Sequence, residues 1–208
     1  MTKIPNLPCL VGKFLYFQQF PDSINSPDNI PLSKLPTADP RSFHVYHSAV
    51  AEYYAPSDHS GDGGRCRERI RAVPSWRNKQ SHRDCIFVSK DMTTPGMAGM
   101  EAARTVLFLS FTYKGQQIPC VLVEWFTTRP ERCPRTGMWI VDRDYEHDSS
   151  RSMELIHLDS VIRGAHLIPV FYEGFVSTDL TYEDSLDRYD TFYVNQYADH
   201  HAFETIHV

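Results

Sequence analysis

RTVLFLSFTYKGQQIPCVLVEWFT, residues 104–127, contains two apolar runs of strand length on either side of a short turn. The first run is Val106–Tyr113. The second, rich in β-branched residues, is Ile118–Phe126, and the turn signal Lys114-Gly115 lies between them. Two such runs around a turn containing glycine predict a β-hairpin. Successive side chains on each strand point to opposite faces, and both faces are largely apolar here. The hairpin is therefore predicted to be central in its sheet, not at an edge.

Length and composition set limits for the rest of the chain. The 208 residues suit one large domain, or one domain with an arm, and the aromatic share of 12% suits a core built on sheets. The net charge of −5 does not by itself attract nucleic acid, so such binding needs a local basic patch. No apolar run has the length of a signal peptide or a membrane span, and the five scattered cysteines suit a reducing compartment. We expect an intracellular protein, nuclear or cytoplasmic, with no membrane partner.

Residues 1–41 hold seven of the chain's 14 prolines. Proline at this density prevents regular elements over most of the stretch. The exception is Val11–Phe20, which suits a short strand or a helix and carries apolar side chains able to dock. We expect a partly extended, proline-rich arm over residues 1–41, packed on a single β-rich domain over residues 42–208.

Short ordered segments separated by glycine and proline turns fill the second region. Strands are predicted at 43–46 (running into a more helical 48–54), 84–88, 138–141, 153–158, 161–172 with a kink at Gly164, and 191–197. Connections by turns make a parallel βαβ sheet a poor fit. The pattern predicts a mainly β fold, a small and partly open β-barrel with few short helices.

Residues 65–83 form the basic stretch of the chain. Arginine alternates with other residues from Arg65 to Arg71, so an extended segment would place these side chains on one face. A row of guanidiniums near an aromatic side chain suits the phosphates and unstacked bases of nucleic acid. The alternative is a solvated face, or arginines paired with the carboxylates of this acidic chain. The predicted nucleic-acid-binding residues are Arg65, Arg67, Arg69, Arg71, Trp76, Arg77, Lys79 and Arg83.

No motif typical of a catalytic or nucleotide-binding site is present, and three weaker groups of residues remain. Histidines and a carboxylate near the C-terminus offer metal ligands on one helical face, but they equally suit a polar chain end. Cysteines with His82 are suitable zinc ligands by residue type, but their spacing matches no standard zinc motif. In addition, a lone cysteine in a strand is usually a small buried hydrophobe. Carboxylates at strand ends would bind Mg²⁺ only if they converge. The groups are His200, His201, Glu204 and His207; Cys66, His82 and Cys85 with Cys120 or Cys133; and Asp142, Asp144, Glu124 and Asp159. We assign no catalytic residue, metal or cofactor from them.

Several stretches, taken in order, resemble a region common in mushroom-forming fungi. They are HVYHSAVAEYYAPSDHSGDGGRCRERIRAVPSWRN (44–78), DCIFV (84–88), PGMAGMEAARTVLFLSFTYKGQQIPCVLVEWF (95–126), TGMWIV (136–141), IHLDSVIRGAHLIPVF (156–171) and FYVNQYADHHAFE (192–204). In those fungi the region often lies at the C-terminus of long transposase-like proteins of Plavaka and Kyakuja–Dileera–Zisupton type elements. The resemblance implies a fungal, transposon-derived protein and implies no activity for this segment, because the catalytic domain of such elements lies outside it.

A looser resemblance concerns the fold. The order of PCVLVEWF, TGMWIV, IHLDSVIRGAHLIPVF and TFYVNQYAD is similar to the bromo-adjacent homology (BAH) module, a small β-barrel with a V-x-W-F strand and a final aromatic strand. BAH modules bind nucleosomes, histone tails or partner proteins. Loop lengths differ here, and a shared fold is weak evidence for function.

The function predicted from the residues and the resemblance is non-enzymatic. We expect a module that binds DNA or chromatin, together with other transposon-encoded proteins as partners. A protein-interaction module is the first alternative, and its aromatic surface would comprise Tyr53, Tyr54, Trp125, Trp139 and Tyr172. A metal-dependent hydrolase or nuclease that depends on Asp142 or His200 is the second alternative.

Overall fold

The computed structural model describes residues 6–21, 30–55, 64–75, 80–171, 175–181 and 184–207. Strands dominate these ranges and the helices are short, which confirms the mainly β prediction. The elements in chain order are α1 (Leu7–Gln19), β1 (His44–Tyr46), β2 (Ser48–Tyr54), β3 (Arg65–Val73), β4 (His82–Arg83), β5 (Cys85–Ser89), β6 (Met100–Tyr113), β7 (Gln116–Thr128), β8 (Ile140–Arg143), β9 (Met153–His157), β10 (Val161–Ala165), β11 (Leu167–Pro169), α2 (Ser185–Arg188), β12 (Thr191–Val194) and α3 (His200–His207).

The main sheet curls into a nearly closed barrel. Its strands follow the order β10-β5-β6-β7-β8-β12-β11, with antiparallel neighbours throughout. The two ends of this order, β10 and β11, are consecutive in the chain and separated only by His166. One bent segment therefore supplies both end strands of the sheet and brings its two edges together. The predicted partly open β-barrel is confirmed. The bend lies at His166, two residues beyond the predicted kink at Gly164, which stays within β10.

The long hairpin β6–β7 is central, as predicted. Lys114 and Gly115 both have positive φ, 49° and 80°, the backbone of a tight turn that matches the twist of the strands. A register shift between Thr105 and Leu107 divides the hairpin into two halves. The half that contains the start of β6 and the end of β7 belongs to the barrel. In the half near the turn, β6 pairs with β1, and β9 pairs with β7 across the shift.

The two faces of the hairpin pack against different layers. The barrel interior is apolar and aromatic, with Phe87, Phe126, Val141 and Phe192 at most 2% exposed. Phe126 and Phe192 meet edge to face, with ring centroids 5.6 Å apart. On the outside of the barrel a second sheet, in the order β2-β3-β4, packs its inner residues against β5 and β6.

Residues 48–54 form strand β2, so the prediction of a more helical segment is wrong there. Seven consecutive residues pair with β3, from Ser48 opposite Arg71 to Tyr54 opposite Arg65. Ala51 turns to the buried side while Val50 and Glu52 turn to solvent. Tertiary pairing with β3 decides the conformation, because isolated propensity over seven residues is a weak preference.

Residues 7–19 form helix α1. Of the two conformations expected for 11–20, a short strand or a helix, the helix is therefore the one that forms. Pro8 at the start of the helix costs no hydrogen bond. The side chains of Leu15 and Phe14 are buried against the half of the hairpin near its turn. There the rings of Phe14 and Phe111 lie with their centroids 6.3 Å apart. No helix within the described ranges combines the length and the apolar character needed to cross a bilayer.

Candidate nucleic-acid interface

Strand β3 carries a row of arginines on the side of the small sheet that points away from the barrel. The alternate residues, such as Ile70 and Ala72, turn inward and pack on the barrel. Strand geometry requires this alternation, so the predicted placement of the arginines on one face is confirmed. The row consists of Arg65, Arg67, Arg69 and Arg71.

Strand β2 completes this surface, which we call the arginine face. Residues that are paired across two antiparallel strands project to the same side, so the register places one β2 side chain beside each arginine. The β2 members are Ser48, Val50, Glu52 and Tyr54. Val50 is 52% exposed and Tyr54 is 70% exposed, so apolar and aromatic surface lies next to the charge.

Glu52 is a carboxylate of the arginine face that pairs with two arginine side chains of the row. Its Oε1 lies 3.3 Å from Nη1 of Arg65, and its Oε2 lies 3.0 Å from Nε of Arg67. Arg69 donates to Oγ of Ser48 at 3.1 Å instead. The expected alternative, pairing with carboxylates, thus holds for two arginines that share one partner. The arginine side chains of both pairs are more than 70% exposed, and such pairs are worth little in water.

The ring of Tyr54 lies against a glycine. Gly64 has φ of +78°, which favours glycine, and a Cβ at this position would lie 3.0 Å from Cε2 of Tyr54. The ring therefore occupies the space that a side chain at residue 64 would need. The nucleic-acid set predicted from sequence omitted Tyr54, although its place two residues from Glu52 in an alternating segment is visible in the sequence.

Of the remaining predicted residues, Arg83 is described by the structure and is not on the arginine face. Trp76, Arg77 and Lys79 lie outside the described residues. Arg83 in β4 pairs with Ala72, whose side chain turns to the barrel, so Arg83 projects to that side too. There it lines a cleft of about 810 Å³ between the small sheet, the barrel and the C-terminal helices, which we call the helix cleft.

Two buried arginines dominate the helix cleft. Arg104, 5% exposed, donates from Nη1 and Nη2 to the two carboxylate oxygens of Asp187 at 2.5 and 3.1 Å. Arg163, 3% exposed, binds Asp199 in the same way at 3.2 and 2.7 Å. Burial raises the pKa of each aspartate, but the hydrogen bonds and charge of its arginine outweigh this and hold the pKa below its usual value.

These pairs join the short C-terminal helices to the barrel. Arg143 also donates to the carbonyl of Leu186, which anchors α2. Sequence reasoning missed the pairs, since Arg104 and Asp187 are 83 residues apart and nothing local connects them. Because each buried guanidinium already has a bidentate carboxylate, we assign the helix cleft a structural role.

The three groups of possible metal ligands do not converge. Within the described residues, no three His, Cys, Asp or Glu side chains are placed to hold one ion. On α3, Glu204 lies 3.4 Å from His201, whereas His207 stacks on Phe203 at a centroid distance of 4.2 Å. Asp142 is held by Arg129 at 2.5 Å.

The thiols of Cys85 and Cys120 are poor metal ligands as they stand. Burial raises the pKa of Cys85 and of Cys120 to about 12, so both stay protonated at neutral pH. Cys66 lies in β3 and His82 in β4, where His82 contacts Asp84 at 2.8 Å.

A second cleft, of about 540 Å³, lies beside the two tryptophans of the first alternative function; we call it the tryptophan cleft. Trp125 donates from Nε1 to Glu154 at 2.9 Å. The ammonium of Lys90 lies 5.5 Å from the centroid of Trp125 and 2.9 Å from Glu101. Trp139 lines the same cleft. The ring of Trp125 and the carboxylate of Glu101 here hold a cation that the chain itself supplies.

Comparison with known proteins adds no name to these surfaces. No family model matches the chain, and no curated protein and no solved structure matches it either.

Proposed function

We propose that this chain is a non-enzymatic nucleic-acid-binding module and that the arginine face is its contact surface. One observation carries the proposal: four arginines project from alternate positions of one strand, and they outnumber their acidic neighbours on that side, Glu52 and Asp84. Because the chain has a net charge of −5, nucleic-acid binding requires a local basic patch, and the arginine face provides this local excess of positive charge.

The binding mechanism follows from exposed guanidiniums. Each arginine that meets a phosphate releases condensed counterions, so affinity falls as salt rises. Arg65 and Arg67 are bound to Glu52 in solvent, and an exposed pair of this kind exchanges partners at little cost. A phosphate can therefore replace Glu52 without unfolding anything, because β3 is paired with β2 along the whole row from Arg65 to Arg71.

The resemblance to transposon-derived proteins supports a setting for this activity. A module at the end of a transposase-like protein would hold DNA or chromatin while another part of the assembly acts on it. The proposed partners are accordingly DNA or chromatin and other transposon-encoded proteins, in the nucleus or the cytoplasm.

The experiment measures binding of the purified chain to short single- and double-stranded DNA at two salt concentrations. The variant Arg65→Ala/Arg67→Ala/Arg69→Ala removes three exposed side chains from the face. The control Arg41→Ala/Lys114→Ala/Arg135→Ala removes three exposed cations elsewhere. We expect salt-sensitive binding that the first variant loses and the control keeps. Equal loss in both would indicate a net-charge effect, and no binding at low salt would remove the proposal.

The tryptophan cleft favours a second candidate, a module that reads a basic peptide. Lys90 shows that an ammonium is stable between Trp125 and Glu101, and a lysine of a partner would meet the same groups. Lys90→Ala should free the site and tighten binding of a lysine-rich peptide, whereas Glu101→Gln should weaken it. If neither substitution changes peptide binding while the arginine variant does, this candidate fails.

A further inference from the structure

The arginine row is straight and regularly spaced. Residues i and i+2 of a strand lie about 6.7 Å apart, so the row from Arg65 to Arg71 extends over about 20 Å. Four guanidiniums at this interval form a linear array along β3. Its ligand must present several phosphates along a line of similar length.

A duplex presents its phosphates differently. Each strand of B-DNA completes a turn in about 10 base pairs, so three phosphate steps rotate the backbone by about 100° around the axis. A flat face then meets only part of such a run before the phosphates curve away. A single strand has no fixed curvature and can straighten along a charged groove.

The surface beside the row suits unstacked bases. Tyr54 lies opposite Arg65, and Val50 lies opposite Arg69, on a strand about 4.8 Å from the arginine row. Both are more than half exposed. Base–aromatic stacking requires a base free of its duplex neighbours, so this aromatic surface is useful only for a single strand.

We propose that the arginine face binds single-stranded nucleic acid, with phosphates along β3 and bases over β2. Tyr54 stacks on a base, and Glu52 is the carboxylate that an incoming phosphate displaces from Arg65 and Arg67. This inference rests on the proposed function and specifies its ligand.

The test uses a fluorescent 12-nucleotide strand and the duplex made from it, titrated with the full chain at low salt. We expect the single strand to bind at least tenfold more tightly. Tyr54→Ala should weaken single-strand binding about tenfold and leave duplex binding unchanged, while Tyr54→Phe keeps the affinity. Tyr197→Ala, which removes another exposed tyrosine, is the matched control. Glu52→Gln should raise affinity, because it removes the competing charge.

Each contrary outcome has a separate meaning. Duplex binding as tight as single-strand binding overturns the inference, and so does an equal effect of Tyr54→Ala on both ligands. In either case the proposed function stands if the triple arginine variant still loses binding. No arginine-dependent binding to either ligand overturns the proposed function and this inference together.

Discussion

Asp199 serves two partners at once, Arg163 on the barrel and the first turn of α3. Its carboxylate accepts both Nη groups of Arg163, at 3.2 and 2.7 Å, and its Oδ1 also accepts the amide of Ala202 at 2.6 Å. Arg163 is buried, and its guanidinium lies 4.6 Å from the ring centroid of Tyr53 in β2. One carboxylate thus caps the C-terminal helix and neutralises a charge between the barrel and the small sheet.

Removal of that carboxylate should be costly. Asp199→Ala leaves the Arg163 guanidinium buried, with Glu68 at 3.8 Å as its remaining acidic contact, and it removes the cap of α3. We expect a loss of about 3 kcal/mol in the free energy of unfolding, at the low end for a broken buried pair because Asp199 is itself half exposed. Urea denaturation followed by circular dichroism measures it.

The matched control is Asp179→Ala, which breaks the exposed pair between Asp179 and Arg188. That change should cost much less than Asp199→Ala, because an exposed ion pair contributes little in water. Similar losses in the two variants would show that burial of the arginine does not set the cost.

Acid should weaken the same attachments. The pKa of Asp187 and of Asp199 is lower in the folded chain than its ordinary value near 3.9, so the unfolded chain takes up protons first as pH falls. Stability from these groups is therefore complete at neutral pH, begins to fall near pH 5 and is lost as pH falls through the folded-state pKa.

Urea denaturation at pH 7, 5, 4 and 3 tests this dependence. Asp187→Asn/Asp199→Asn should be less stable than the parent at pH 7 and should lose less stability between pH 5 and 3, because asparagine does not titrate there. Parallel pH profiles for parent and variant would contradict the assignment.

Helix α1 should contribute to the core. Leu15 is 1% exposed and packs on the half of the hairpin near its turn. Leu15→Ala should therefore lower the free energy of unfolding by about 2–5 kcal/mol. Leu32 is 72% exposed, and Leu32→Ala should change stability by less than about 0.5 kcal/mol. Thermal and urea denaturation compare the two. If Leu15→Ala is as mild as the control, α1 does not stabilise the barrel in solution.

The salt dependence of binding should report the number of arginines in contact. For a single strand the slope of log K against log salt is about −0.7 per neutralised phosphate, so four contacts predict a slope near −3. The single variant Arg67→Ala, which keeps three contacts, should give a slope of about −2. Fluorescence anisotropy over a salt series measures both slopes, and an unchanged slope in the variant would place the contacts elsewhere.

Some features could be predicted from sequence because they depend on neighbouring residues. The hairpin follows from two apolar runs around Lys114-Gly115, and its turn has the positive φ that glycine favours at Gly115. The alternation of arginines in β3 also needs only an extended backbone. The barrel class followed from the number of short strands and turns.

Other features could not be predicted because distant segments decide them. Residues 48–54 looked helical in isolation and became a strand when β3 supplied hydrogen-bonding partners. Arg104 is charged in an apolar run, and its burial is tolerable only because Asp187 arrives from far along the chain.

The sequence by itself determined most strands of the barrel, the tight turn and the alternation of the arginines, since each arises from local backbone geometry and side-chain order. Only the tertiary structure decided that the row faces solvent, that Tyr54 and Glu52 stand beside it, and that Arg83 turns to the helix cleft instead. It also decided the closure of the barrel by β10 and β11. These outcomes depend on register and on contacts between residues far apart in the chain, where burial energy selects one arrangement from many that the local pattern allows.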